Sequence, residues 1–169
     1  MGKSVQGQKR PKALYSVEER QRRDRSPWTT VQAVLAPVQF IVFLISLWLV
    51  VRTLATGEGE TAATISIVIK TLTLYTIMIT GSIWEKDVFG KYLFADAFFW
   101  EDVFSMLVLA LHTAYLVALF TGALDTTGQM WLALAAYAAY VINAGQFVWK
   151  LRMARLEGAG QTQAVGAHG

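Results

Sequence analysis

Residues 81–112 read GSIWEKDVFGKYLFADAFFWEDVFSMLVLALH, and the meaning of the flanking sequence turns on them. Long apolar runs close on this stretch from both sides, yet it holds Glu85, Lys86, Asp87, Lys91, Asp96, Glu101 and Asp102. Interleaved with these charges are the rings of Trp84, Phe89, Tyr92, Phe94, Phe98, Phe99 and Trp100. A connection between two membrane spans seldom needs so much charge and so many rings together. The mixture suits a flat, mainly apolar ligand with a few polar groups.

The composition sets the solvent. With 54% hydrophobic residues, 16% charged and a mean hydropathy of +0.40, the 169-residue chain is one domain by length and too apolar for an ordinary soluble one. The expected class is all-α, an integral membrane four-helix bundle. The chain has no cysteine, which excludes disulfides, thiolate metal sites and cysteine nucleophiles. Its two histidines, one of them His168 near the end, are too few for a His-based metal centre, so no protein-bound metal is expected. The net charge of +3 does not point to nucleic acid, because the basic residues cluster beside the ends of apolar runs. That is the pattern of membrane topology.

Outward from the central stretch, the chain divides into a basic tail over 1–26, a four-span domain over 27–151 and a tail over 152–169. The first tail carries eight of the fifteen basic residues and is expected to be mobile, with Val17 to Arg25 able to form a short basic helix on anionic headgroups. Ser26 and Pro27 mark a helix start, with serine as the cap and proline in the first helical position. Spans are expected at about 28–54, 62–83, 97–121 and 129–150. Each is long enough to cross a hydrocarbon core of roughly 30 Å at about 1.5 Å per residue. The Gly, Ala and Gln content beyond Arg152 predicts a disordered tail. Basic residues crowd the two ends and the central stretch, whereas the turns near Gly57 and Gly128 hold at most Arg52. The positive-inside rule therefore places both termini and the central stretch in the cytoplasm.

Counting along antiparallel spans brings polar residues to common depths. Gln32 and Gln39 in the first span, Glu85 at the end of the second, Glu101 and Asp102 at the start of the third, and Asn143 and Gln146 late in the fourth converge near the cytoplasmic surface. Gln32, Gln39 and Ser46 recur every seven residues and share a helix face, as do Glu101, Ser105 and His112. Asp102 lies about 100° round from Glu101, so one of the two is expected to face the bundle better than the other. Acidic residues in a first helical turn are also explained by the helix dipole alone. Two of them among Phe98, Phe99, Trp100 and Phe104 favour a perturbed site. Lys70 and His112 fall deeper, at matching depths, as the floor of a polar pocket or as a separate structural pair.

Three segments carry a resemblance to a known family. These are SPWTTVQAVLAPVQFIVF at 26–43, KTLTLYTIMITGSIWEKDVFGKYLFADAFFWEDVFSMLVLALHTAYL at 70–116 and LAAYAAYVINAGQF at 134–147. Together they resemble the vinyl bacteriochlorophyllide hydratase family over about residues 26 to 156. The resemblance implies a hydro-lyase of bacteriochlorophyll biosynthesis in a bacterial inner, intracytoplasmic membrane. Water would add across the C3 vinyl group of a chlorophyllide-type macrocycle to give a 1-hydroxyethyl group. It implies no cofactor, the magnesium being part of the substrate, and makes neighbouring pigment-biosynthesis enzymes candidate partners.

Such a reaction needs an acid to protonate the terminal vinyl carbon and a placed water to meet the ring-delocalised cation. Glu101, Asp102 and Glu85 are the candidate catalytic residues, a carboxylic acid as donor and a carboxylate as base. His112 is a candidate ligand of the substrate magnesium, or else a buried histidine bonded to a neighbour. Gln39, Asn143 and Gln146 are candidates for the ring carbonyls or the propionate, Lys86 and Lys91 for the anionic propionate, and Trp84, Phe99 and Trp100 for stacking on the ring. Two other classes compete. A non-catalytic pigment-binding or assembly subunit of a photosynthetic complex needs rings and a ligand but no acid, and a small transporter would use Lys70 and the carboxylates as an ion path.

Overall fold

The computed structural model describes residues 13–166, with side chains through residue 159. His168 and the basic residues Lys3, Lys9, Arg10 and Lys12 lie outside the described residues, as do the expected mobility of residues 1–12 and disorder of 167–169. Among the described residues the chain is all-helical: α1 Val17–Arg25, α2 Pro27–Thr56, α3 Glu60–Phe89, α4 Phe99–Thr121 and α5 Thr126–Gly166. Helices α2 to α5 are long and apolar enough to cross a membrane.

The side chains are arranged for lipid. Phe40, Ile41, Leu44, Ile45 and Trp48 on α2 are exposed, as are Ile65, Ile69 and Leu72 on α3. Water would penalise so much apolar surface, and hydrocarbon would not. The inward face instead carries the polar residues. Gln39, Ser46 and Thr53 are buried on α2, and Lys70 and Thr71 on α3. The face shared by Gln32, Gln39 and Ser46 does look inward, Gln32 donating to the Thr80 hydroxyl at 2.7 Å. Helix α2 packs along α3 and α4 along α5, and α2 and α5 join these two hairpins. The α3–α4 seam is sparse. Tight turns close the hairpins, with Gly57 and Gly59 both at positive φ between α2 and α3.

The short helix expected over Val17 to Arg25 is present and packs on the bundle. Residues 17–25 form a helix whose start is fixed by a capping box, Glu19 N–H donating to Ser16 Oγ while Ser16 N–H donates to Glu19 Oε2. Acidic residues fill its first turn and arginines its last, as its dipole favours. Tyr15 anchors it, buried against Phe89 and Phe98, and that burial pushes its phenol upward from the ordinary tyrosine range. At the other end α5 continues through the region expected to be disordered. Residues 150–157, KLRMARLE, are good helix formers, and Ala154 packs onto the same aromatic cluster. Glycine and glutamine in the last residues had hidden that run. Ser26 does stand at the cap of α2 with Pro27 next, but its hydroxyl donates to Asp87 Oδ2 at 2.7 Å and so ties α2 to α3.

One end of the bundle is thus an aromatic cap of Tyr15, Trp84, Phe89, Phe98 and Phe147, with α1 laid across it. Phe98 is its centre, touching the other four at ring-centroid distances from 5.7 to 6.5 Å. Phe98→Ala should cost about 3–5 kcal/mol of stability. Melting in lipid nanodiscs checks this, and an unchanged melting temperature would contradict the role of the cap.

Candidate active site

The first turn of α4 faces two neighbours at once. Glu101 and Asp102 are adjacent, and both are buried. The expectation that one of them would face the bundle better is corrected, because α4 has α5 on one side and the α3–α4 connection on the other. Adjacent residues on a helix diverge by about 100°, so the two carboxyls point to different neighbours.

On the α5 side, Lys150 Nζ donates to Glu101 Oε2 at 2.7 Å and lies 5.3 Å from the Phe98 ring centroid. Asn143 Nδ2 donates to the Glu101 carbonyl at 2.8 Å, and the Ser105 hydroxyl lies 3.1 Å from Asn143 Oδ1. Asn143 therefore clamps α5 to α4 with both ends of its amide.

On the α3 side, the Asp102 and Glu85 carboxyls are neighbours, within each other's electrostatic influence. Two carboxylates repel when both are charged, so a proton on one of them favours the contact. Each also accepts a backbone N–H from the connecting strap: Phe94 N–H donates to Asp102 Oδ2 at 2.7 Å, and Ala95 N–H to Glu85 Oε1 at 2.6 Å. Phe94 takes a left-handed φ of 59°, which costs a non-glycine residue about 1–2 kcal/mol. The two successive amide bonds hold the strap in that conformation.

Over this pair lies an exposed row of rings. Phe94 meets Phe99 at 5.8 Å, and Phe99 meets Trp100 at 5.5 Å, between centroids. All three are exposed, Trp100 at 66%. Trp84, expected beside them, is turned inward: its Nε1 donates to Thr29 Oγ1 at 2.9 Å and its ring packs on Phe89 and Phe98. Lys86 and Lys91 are exposed on the strap side, Lys86 Nζ donating to the Gly90 carbonyl at 2.9 Å and Lys91 lying 3.6 Å from Asp96. Gln39 is buried, and Gln146 Oε1 is buried with no hydrogen-bond partner.

His112 is fully enclosed, ten residues and so about 15 Å along α4 from Asp102. Its Nδ1 lies 2.8 Å from the Val108 carbonyl. Among the described residues no cluster of three or more His, Asp or Glu side chains is arranged to hold a metal ion.

Lys150 and the strap amides were missed in the sequence. The lysine was within reach of the same counting that aligned the other residues, since Glu101 opens one span and Lys150 closes its antiparallel partner. The amides carry no side-chain signal.

The fold and site define a multi-pass helical membrane protein with a buried carboxyl cluster under an aromatic row at one end of its bundle. A family model described as 2-vinyl bacteriochlorophyllide hydratase (BCHF) matches residues 15–153. The chain belongs to that family. A 2-vinyl bacteriochlorophyllide hydratase of Rhodobacter capsulatus is 72% identical over 150 residues, covering 89% of this chain and 87% of the relative. One from Cereibacter sphaeroides is 70% identical over 144 residues, covering 85% and 89%. No solved structure matches the chain.

If Asn143 is the clamp between α4 and α5, Asn143→Leu should lower stability by about 1–3 kcal/mol, the cost of losing its two hydrogen bonds to α4, with Ser105 keeping its own bond to the Glu101 carbonyl. Thermal unfolding followed by circular dichroism checks this, and a loss within error would reject the clamp.

Proposed function

We propose that this chain hydrates the vinyl group of a bacteriochlorophyllide-type macrocycle, –CH=CH2 becoming –CH(OH)–CH3. The observation that carries this reading, in a member of this family, is the Glu85–Asp102 carboxyl pair lying beside the ion-paired Glu101. The vinyl position is 2 in the older ring numbering and C3 in the current one.

The chemistry divides among the three carboxyl groups. The Glu85–Asp102 pair supplies a proton to the terminal vinyl carbon, and the positive charge left on the inner carbon spreads into the ring. Glu101, its carboxylate paired with Lys150, faces that charge, orients the water and takes its proton as the carbon–oxygen bond forms. Asp102 lies within the electrostatic influence of Glu101, so the proton returns to the pair and the cycle closes with one water consumed. General acid–base steps of this kind contribute about 100- to 10,000-fold each.

The macrocycle lies against Phe94, Phe99 and Trp100 at the membrane interface, where flat rings offer apolar area. Glu85 and Asp102 are only 4% exposed, so a small apolar substituent reaches them and the ring does not. A vinyl group is two carbons long and carries no polar atom to desolvate. Gln39 and the Gln146 oxygen are as enclosed as the carboxyls, and the Asn143 amide is already used, so we assign the polar edge of the ring to none of the three. Lys86 and Lys91 lie where a propionate would leave the bilayer. His112 is too deep and enclosed to reach a ring held at the interface, so we assign it no magnesium. The reaction draws on no resident metal or organic cofactor, and the magnesium travels with the substrate. The protein sits in the bacterial inner, intracytoplasmic membrane with both termini and the strap in the cytoplasm, as the distribution of basic residues supports.

The test is to incubate membranes containing the protein with 3-vinyl bacteriochlorophyllide in oxygen-18 water, following mass and absorption. Gain of one labelled water with a blue shift of the red band is expected, and bound but unchanged pigment would instead favour a carrier. Glu85→Gln and Asp102→Asn should each lower kcat by about 100- to 10,000-fold while pigment binding persists. Near-normal turnover in both would remove the pair from the mechanism.

A further inference from the structure

A second polar cluster lies in the other half of the bundle, unused by the reaction. Lys70 on α3 and His112 on α4 are both wholly inaccessible. Lys70 Nζ and His112 Nε2 are each buried without a hydrogen-bond partner. The ammonium stands 3.6 Å over the Tyr140 ring centroid, and the imidazole lies 5.9 Å from the Tyr137 ring. The Tyr137 hydroxyl in turn meets Ser46 Oγ at 2.5 Å, which meets Ser66 Oγ at 2.7 Å.

The hydrogen-bond chemistry selects what belongs there. A carbonyl oxygen only accepts, so the 2.8 Å contact between His112 Nδ1 and Val108 puts the ring proton on Nδ1. In the neutral ring Nε2 is then a lone pair in need of a donor. Lys70 has three N–H donors, and the face of Tyr140 engages no more than one of them. The two residues lie within electrostatic influence of each other, yet no direct bond joins them. A buried donor and a buried acceptor left apart in this way are each destabilising.

We infer that Lys70 and His112 form an internal water site, in which a bound water accepts from Lys70 Nζ and donates to His112 Nε2. Water serves both atoms at once, whereas a halide or carboxylate would satisfy the ammonium and be repelled by the Nε2 lone pair. Beside His112, the buried Tyr137 of α5 bonds Ser46 of α2, which bonds the half-buried Ser66 of α3, a polar surround of the kind that holds internal water in place.

X-ray hydroxyl-radical labelling of the full chain in nanodiscs tests this, because radicals formed from bound water oxidise adjacent side chains that bulk solvent cannot reach. Tyr140 and Tyr137, 8% and 2% exposed, should be labelled, and labelling should fall several-fold in Lys70→Met/His112→Phe. Absence of label on both tyrosines in the unsubstituted protein overturns the site, as does equal labelling in the double variant. Should that variant fail to fold, exchanging chloride for gluconate around the unsubstituted protein decides the matter. An unchanged melting temperature agrees with water, and a chloride-dependent one replaces water with an anion.

Discussion

The contact on which one end of this helical bundle depends is the one between Asp102 and Glu85. It joins α3 to α4 across a seam that is otherwise sparsely packed, and it does so through two groups that repel each other when both are charged. A proton on one of them removes that repulsion. Two strap amides donate to the pair, one to each carboxyl, and in doing so they hold Phe94 in its left-handed conformation. The carboxyl pair thus ties together a helix seam, a loop and the first ring of the aromatic row.

The neighbouring carboxylate is treated in the opposite way. Glu101 is given a lysine, and its backbone carbonyl is given the Asn143 amide. Adjacent residues on one helix turn are thereby placed in two electrostatic settings, one beside a second carboxyl and one ion-paired. Sites that carry out acid and base steps at one pH need such a separation, and it is produced by environment rather than by residue type. The cap of aromatic rings above and the apolar spans below keep water scarce around all three groups, which strengthens each of these interactions.

Much of the fold could be read from the sequence because a bilayer imposes coarse rules. Four apolar runs of sufficient length, a heptad of Gln32, Gln39 and Ser46, and basic residues at the ends fix spans and inward faces with little ambiguity. The termini were harder. Composition over 152–169 averaged the helix-forming KLRMARLE with a glycine-rich end, and the count of basic residues over 1–26 obscured the Ser16–Glu19 capping box. The carboxyl trio was legible, since three acids at one depth among aromatic rings is a costly arrangement to keep without use. Their division of labour was not. It rests on Lys150, 49 residues away from Glu101, and on two backbone amides whose positions follow from a left-handed phenylalanine that no residue pattern announces.

Placing this chemistry at the membrane interface resolves a conflict of solubility. The proposed macrocycle is flat and apolar and belongs in lipid, whereas its co-substrate is water. A site deep in the bundle would hold the ring but starve the reaction, and one out in the cytoplasm would do the reverse. Trp100 and Phe99 are exposed at the first turn of α4, one residue from the buried carboxyls, so the step from lipid-facing ring to enclosed acid is a rotation about the helix. Enclosure also governs the fate of the cation. On the proposed reading, Glu101, ion-paired with Lys150 beside the carboxyl pair, orients one water toward the intermediate. Its positive charge is met by a carboxylate already in place, so little of the barrier goes into reorganising solvent.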